Sequence, residues 1–477
     1  MILAILPEIG LVLLAAMMLV FDLLWRDGRV QRLAWFTTAG LALIMAVSIL
    51  YSQPGEEPLL IWGGMLRLDM TGFVFRMLFL AAAALTSLFA TQYESLGRRG
   101  EFYVLLLVST LGMSLMASSA DLIMLYLAIE TTSIPLYVLA GFIIGDKRSV
   151  EAGIKYLLFG AMSSAVMLYG LSLLYGFTGT TQLYDLAARL VTGQTPQLLI
   201  YGVIALLLVG FGFKISAVPF HFWAPDVYEG GPTPVAGFLS TASKAAGFAV
   251  LLRVLQVAFP DQTAFWTTVI AVLATLSMLL GNYLALAQKS VKRLLAYSSI
   301  AQAGYMLIGV AAGSSLGTSA AIYYLMAYLV TNLAAFGIVT IVEGVVGSDE
   351  LSAFAGLSRR APGLALAMLA AMLSLGGIPP FAGFFAKLIV FASAVEANLI
   401  WLVLVGIFNA VIGLYYYLVV LKVIYLGRAE DETPIRGIAF SWRLALIVSV
   451  IGILILGFWF SPWFQWAQGA TGAIWIY

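Results

Sequence analysis

Fourteen runs of almost unbroken apolar residues divide this chain, each near the ~20 residues that a helix needs to cross a bilayer. They lie near 2–24, 33–51, 70–93, 102–119, 121–144, 150–175, 197–223, 233–259, 266–287, 293–312, 319–346, 363–394, 399–426 and 438–460. Lipid offers no water to backbone N–H and C=O groups, so only helices and closed β-barrels can span it. Barrel strands alternate apolar and polar residues, and these runs do not. The expectation is an all-α polytopic membrane protein with about 14 transmembrane helices. With 62% apolar and 10% charged residues, the composition agrees. The opening MILAILPEIGLVLL lacks a basic n-region and a small-residue cleavage site, so it is expected to remain as the first span.

Lys and Arg sort the loops. Sixteen fall on one side, among them Arg26, Arg29, Arg98, Arg99, Lys147, Arg148, Lys289, Lys292, Arg293, Arg359, Arg360 and Arg436, and only Arg67 and Arg189 on the other. By the positive-inside rule the crowded side is cytoplasmic, which puts both termini outside. Trp463, Trp466, Trp475 and Tyr477 fit an aromatic belt at that outer surface. The loops near 52–69 and 176–196 are too short for a soluble domain.

The chain also repeats. A shift of 168 residues aligns 122–157 with 290–325 without a gap and with ten identities, including Tyr137 with Tyr305 and Gly141 with Gly309. The shift spans five helices, an odd number, so the two units are expected to be inverted in the membrane. Inverted repeats around midplane sites are an architecture of secondary transporters. The expected organisation is an N-terminal group of helices in 1–93, repeats in 102–259 and 266–426, and a C-terminal helix in 438–477.

Glu130, Lys214, Lys244 and Lys387 lie deep within these runs. Lys244 is ten residues past Pro234, roughly 15 Å from the nearer helix end at 1.5 Å per residue. Its stem cannot snorkel that far. Ionisable groups at bilayer depth cost about 3 kcal/mol or more and mark ion or proton pathways. An unpaired carboxylate in low dielectric protonates, so Glu130 needs a cation, and Lys214 is the leading candidate. A static ion pair that fixes helix packing is the bland alternative. Lys155 sits near its span end and could snorkel, so its role is accessory. Arg76 and Arg253 are also nearer span ends and read as structural. Where the first unit has Glu130 and Lys155 the second has Ser298 and Tyr323. Tyr297, Ser298, Tyr323 and Thr331 thus become candidates for supporting a water wire.

Two spans carry proline in mid-run, Pro219 in GFGFKISAVPFHFW and Pro379–Pro380 in LGGIPPFAGFFAK. Proline lacks an N–H and clashes with the carbonyl four residues earlier. The carbonyl of Ile215 and those of Leu375 and Gly376 should therefore be freed. Such backbone is tolerated at depth where it lines a cavity or is buried in protein. Each break has a lysine within about two helical turns. Lys214 and His221, seven residues apart, would share a helix face if the helix ran on through Pro219, making His221 a candidate relay.

Cys is absent and His221 is the one histidine. Iron–sulfur clusters need several Cys or His ligands, and no GxxxxGK[ST] phosphate loop is present. No cofactor or metal is expected in this chain, and the energy for any uphill proton movement must come from a partner.

The stretch KISAVPFHFWAPDVYEGGPTP (214–234) resembles the antiporter-like subunits of respiratory complex I, the proton-pumping NADH:quinone oxidoreductase, most of all the N type. IETTSIPLY around Glu130, GIKYLLFGA around Lys155, VKRLLAYSSIAQAGYMLIG around Tyr297 and GGIPPFAGFFAK ending at Lys387 agree. The resemblance covers nearly the whole chain. It implies fourteen helices in two inverted five-helix repeats and a proton channel along a polar axis. It further implies Glu130 and Lys214 as the charge pair, Lys244 as the bridge between half-channels, Lys387 as the terminal site, and Lys155 and His221 as accessory positions. The implied setting is a bacterial cytoplasmic membrane. The partners are the other membrane and peripheral subunits, which hold flavin and iron–sulfur clusters, with lipid, protons and water but no nucleic acid. The L type carries a long C-terminal lateral helix, for which this length leaves no room, and the M type usually has glutamate where Lys387 stands. An Mrp-type cation/proton antiporter shares the architecture, but the APDVYEGGPTP form disfavours it. A membrane scaffold explains the spans but not four buried charges.

Overall fold

A computed structural model describes residues 2–24, 29–55, 57–192, 195–429, 433–435 and 437–475. Arg26, Arg436 and Tyr477, which entered the charge and belt readings, lie outside the described residues. Helices dominate. They are α1 (Leu6–Leu24), α2 (Arg29–Tyr51), α3 (Met70–Ala90), α4 (Gly100–Ser118), α5 (Leu122–Ala140), α6 (Lys147–Thr178), α7 (Gln197–Ile215) and α8 (Trp223–Gly230). After these come α9 (Thr233–Ala258), α10 (Thr263–Ala285), α11 (Val291–Ala311), α12 (Ser315–Val346), α13 (Pro362–Gly376), α14 (Ala382–Glu396), α15 (Ile400–Leu426), α16 (Phe440–Phe458) and α17 (Phe460–Trp475).

Among the described residues, thirteen helices are long and apolar enough to cross a membrane. The α13–α14 pair, 15 residues each, occupies the remaining apolar run, near 363–394. Polar caps fix several starts by accepting the orphan N–H groups of a first turn. Asp69 accepts from Gly72 N at 2.8 Å, Asp121 from Ile123 N at 2.8 Å, and Asp146 from Arg148 N at 2.9 Å.

Burial sorts centre from periphery. The apolar window of α9 is 100% enclosed by protein and those of α11 and α12 are 94% enclosed, against 28% for α6. Lys244 therefore sits on the most enclosed helix, and α6 faces outward along much of its length. The α9 helix is not regular: Leu239–Ser243 form a π turn that ends at Lys244. Such bulges are rare and occur often at functional sites.

Three local features differ from the sequence reading. The 197–223 run is not one helix, because α7 stops at Ile215 and α8 begins only at Trp223. The stop is made by Ser216 in the left-handed region at φ 58°, uncommon for a residue with a side chain. Lys214 and His221 consequently do not share a helix face. Residues 460–475, read as a belt, form a further helix, α17. It continues the course of α16 along α3 and α12, with Thr71 donating to Ala470 O at 2.6 Å and Ser319 to Thr471 Oγ1 at 2.9 Å. The 52–69 loop contains a small hairpin, β1 (Leu59–Ile61) antiparallel to β2 (Leu66–Leu68).

Candidate proton path

Lys244 is wholly buried, and its Nζ donates to Ser299 O at 2.6 Å and Ser299 Oγ at 2.7 Å on α11. One turn further along α9, a Cβ on Gly247 would lie 3.2 Å from Lys214 Cβ. Glycine there lets the α7 lysine pack directly against the helix that carries Lys244. The two lysines are thus neighbours through backbone rather than through a shared counter-ion.

Lys214 Nζ donates to Ser133 Oγ at 2.8 Å, one turn of α5 beyond Glu130. Glu130 is half-buried and accepts a short hydrogen bond from Ser164 on α6. The two ends of the expected charge pair meet the same helix but do not form a direct ion pair. Ser133 stands between them, itself bonded to Ile129 O at 2.6 Å.

At the second break the lysine folds back. Lys387 Nζ donates to Leu375 O at 2.8 Å and Gly376 O at 3.2 Å, the two carbonyls that Pro379 and Pro380 leave without helix donors. Its ammonium also lies 4.8 Å from the Tyr305 ring centroid, within cation–π range. Gly377 makes the crossing possible. It adopts φ 81°, and a Cβ there would sit 2.8 Å from Lys387 Cδ.

Hydroxyls and carboxamides fill the space between these lysines. Tyr228 OH lies beside Ser216 and Ser299, and Tyr328 OH beside Ser299 and Ser240, neither closing a hydrogen bond. Gln302, one turn past Ser299 on α11, donates from Nε2 to Leu375 O at 3.1 Å and to Tyr417 OH at 3.1 Å. Tyr324 OH donates to Gln302 Oε1 at 2.5 Å, and Ser298 Oγ meets Tyr417 OH at 2.5 Å. Thr331 Oγ1 reaches Ser374 Oγ at 3.0 Å beside the second break.

The accessory residues divide. Ser298 and Thr331 join the buried network. Tyr323 does not: its hydroxyl donates to Leu456 O of α16 at 2.6 Å and its ring packs edge-on against Phe460. Its neighbour Tyr324 points inward instead. Tyr297 lies in the second turn of α11 with the Arg293 guanidinium 6.0 Å from its ring centroid. Lys155 bonds Asp226 at 2.6 Å and Glu151 at 2.7 Å. Asp226 also pairs with Arg293 at 3.2 Å, at the edge of a charged cavity of about 250 Å³. His221 is buried in the first break with Nδ1 unbonded, its ring 4.6 Å from that of Phe222.

The deep arginines behave differently from the lysines. Arg253, also on α9, forms a two-pronged pair with Asp69, at 2.6 Å and 2.9 Å, and donates to Ala117 O at 2.8 Å. Arg76 pairs with Glu8 at 2.9 Å. Both guanidiniums have a carboxylate counter-ion. Among the described residues, none of Lys214, Lys244 and Lys387 has one within ion-pair distance.

Ser133, Ser299, Gln302, Tyr324, Ser374 and Tyr417 were missed by a search for charge. The available signal was weaker: Gln302 is a carboxamide inside an apolar span, as are Asn282, Asn332 and Asn409.

Comparison with known proteins places this arrangement. A family profile described as NADH:quinone oxidoreductase/Mrp antiporter, TM matches residues 119–413, more than half the chain. Subunit N of NADH-quinone oxidoreductase from Moorella thermoacetica is 46% identical over 443 residues, covering 92% of each chain. A chain of respiratory complex I from Thermus thermophilus, solved with bound aureothin, is 37% identical at a TM-score of 0.80, covering 94% of this chain and 96% of that one. A chain of the Mrp complex from Dietzia sp. reaches a TM-score of 0.87 at only 21% identity, covering 99% and 97%, and so shares the fold alone. Sequence separates what the fold does not: the chain belongs to the subunit N family of NADH-quinone oxidoreductase, a multi-pass membrane component of respiratory complex I.

Proposed function

We infer that this chain moves protons across a bacterial cytoplasmic membrane as the antiporter-like subunit of NADH:quinone oxidoreductase, and that Glu130, Lys214, Lys244 and Lys387 carry them. One observation carries the assignment of residues. Lys214, Lys244 and Lys387 bond only neutral oxygens, whereas Arg76 and Arg253 are locked to carboxylates. A buried ammonium with a paired carboxylate is held charged, and one without is free to give up its proton. The neutral oxygens of Ser133, Ser299 and Leu375 that accept from the three lysines support transfer in steps, with Lys214 loaded first and Lys244 passing charge toward Lys387. Glu130, one turn from the Lys214 contact, acts on the first step through its field.

The two units 102–259 and 266–426 are read as inverted repeats. In each, a helix stops at a left-handed residue, Ser216 or Gly377, beside a proline and a lysine. The charge tally supports both termini on the outer side. With no Cys and one histidine, redox groups belong to partner subunits, and the driving signal arrives through subunit contacts. Moving one charge against 100 mV requires about 2.3 kcal/mol, within reach of such a signal. Lipid, water and protons are the remaining partners.

The test is pumping coupled to NADH oxidation in membrane vesicles, with assembly checked on native gels. Lys214→Arg should assemble but pump poorly, since guanidinium stays charged at any accessible pH. Glu130→Gln should slow the first step less severely. Normal pumping by both variants would favour static packing and remove the relay.

A further inference from the structure

The Lys244 and Lys387 sites lie on different helices and share no ligand. The groups between them converge on one side chain, Gln302, which is 2% exposed. Its orientation is fixed by chemistry. Leu375 O can only accept, so the atom bonded to it must be Nε2, and Oε1 must then be the atom that takes the Tyr324 hydroxyl. The second Nε2 hydrogen goes to Tyr417, which leaves the Tyr417 proton for Ser298. Ser298 adjoins Ser299, the residue that holds Lys244. At the other end, the carbonyl that Gln302 bonds is the same one that holds Lys387.

Beside this carboxamide is a cavity of about 10 Å³ lined by Gln302, Tyr324, Tyr328, Thr331, Ser374 and Leu375. A buried water needs roughly that much space and two to four polar partners. The Tyr328 hydroxyl, 3% exposed as a residue and without a hydrogen bond, is a group in need of one.

We propose that Gln302 is the positioning residue of the link between the two half-paths. It fixes Tyr417 and Tyr324 and holds one water in the adjoining cavity against the unbonded Tyr328 hydroxyl. A proton passed from Ser299 to the Tyr328 oxygen thus releases the Tyr328 proton to the water, which gives one of its own toward Lys387 beside Leu375 O. The carboxamide is too weak a base to carry the proton itself. Each hydroxyl or water gives one proton forward and takes one from behind, so the link regains its composition after each transfer. Because Gln302 and Lys387 bond one carbonyl, movement of the Lys387 ammonium off Leu375 O changes the competition for it, and the link responds to the state of the terminal site. This proposal rests on the relay reading above.

The test uses the assembled complex in vesicles, comparing Gln302→Met, nearly equal in size, with Gln302→Glu. Pumping, NADH-driven quinone reduction and the solvent H₂O/D₂O isotope effect are measured together. The methionine variant should assemble and lose about fivefold in coupled rate, the scale of one lost hydrogen bond, with a larger isotope effect because proton transfer through the link becomes limiting. Glutamate, which keeps the acceptor, should recover part of the rate. A residue that merely fills space would leave the isotope effect unchanged. Should the methionine variant fail to assemble, Tyr417→Phe and Tyr324→Phe each remove one oxygen from the same link and should show the same signature. Lys387→Met separates the two levels. If it abolishes pumping while the Gln302 and tyrosine variants show wild-type rates and isotope effects, the role of Gln302 is overturned and the relay stands. If Lys387→Met pumps normally, the relay itself fails.

Discussion

The two helix breaks solve one problem in different ways. In both, a helix of a membrane-spanning run stops at a left-handed residue and leaves carbonyls without donors. At the first break the backbone and an indole supply the donors. Ala217 N bonds Gly212 O at 2.8 Å, and Trp223 Nε1 bonds Phe213 O at 3.1 Å. Lys214 is left free to reach across to α5. At the second break the lysine itself is a donor, with Lys387 tied to Leu375 O and Gly376 O. The backbone closes the preceding turn at the second break too, with Ile378 N on Leu373 O at 2.9 Å and Gly377 N on Ser374 O at 3.0 Å. The difference is that Lys387 also holds the last two carbonyls of its break, whereas Lys214 bonds only Ser133 on another helix. A lysine that also holds the backbone couples its charge to the turn around it, which suits the terminal role proposed for Lys387.

Removing each lysine should break the comparison most visibly. Lys387→Met leaves the Gly376 carbonyl without a donor and Leu375 O with Gln302 alone. The amides of Ile378 and Phe381 in the adjoining turn should then exchange hydrogen about tenfold faster in the purified complex, the scale of one unmade buried bond. Lys214→Met should leave exchange in 216–222 unchanged, because Ser133 keeps its bond to Ile129 O. Equal responses at the two breaks would erase the distinction.

Glycine placement gives the next effect. Gly377→Ala should lower thermal stability by about 1 kcal/mol for the left-handed backbone alone, and by more because its Cβ meets the Lys387 stem. Ser216→Gly should act in the opposite direction, raising stability by a few tenths of a kcal/mol as strain is relieved. Melting of the solubilised subunit checks both signs. An effect between these two belongs to Trp223→Phe, which removes the donor to Phe213 O and should cost about 1 kcal/mol with pumping retained. The smallest is Tyr323→Phe. Its bond to Leu456 O lies outside the path, so stability should fall slightly while pumping per NADH stays at the wild-type value.

Much of this was legible in the residues. Continuous apolar runs fixed the helical class, and prolines in mid-run marked both breaks together with the carbonyls they free at Leu375 and Gly376. The destination of those carbonyls was not legible, because it depends on Lys387 folding back from seven residues past Pro380, a contact set by Gly377. Tyr323 faces Leu456 and Tyr324 faces Gln302 for a related reason. Adjacent helical residues differ by about 100°, so a repeat alignment can name the position and miss the face. Gln302 escaped notice because an uncharged amide stands out less than a lysine in an apolar span, although both need partners there. The α17 helix was hidden by its aromatic content, which reads equally well as an interfacial belt.

The contrast between buried lysines and buried arginines is tested most directly on α9, which carries one of each nine residues apart. Lys244→Arg and Arg253→Lys exchange the two chemistries within one enclosed helix. In vesicles oxidising NADH, with assembly established on native gels, Lys244→Arg should assemble and lose most pumping. Arg253→Lys should lose stability, since one prong of the Asp69 pair is gone, yet pump at the wild-type ratio once assembled. Near-normal pumping by Lys244→Arg, or loss of the pumping ratio in assembled Arg253→Lys, would contradict the assignment of proton exchange to the lysines that lack a counter-ion.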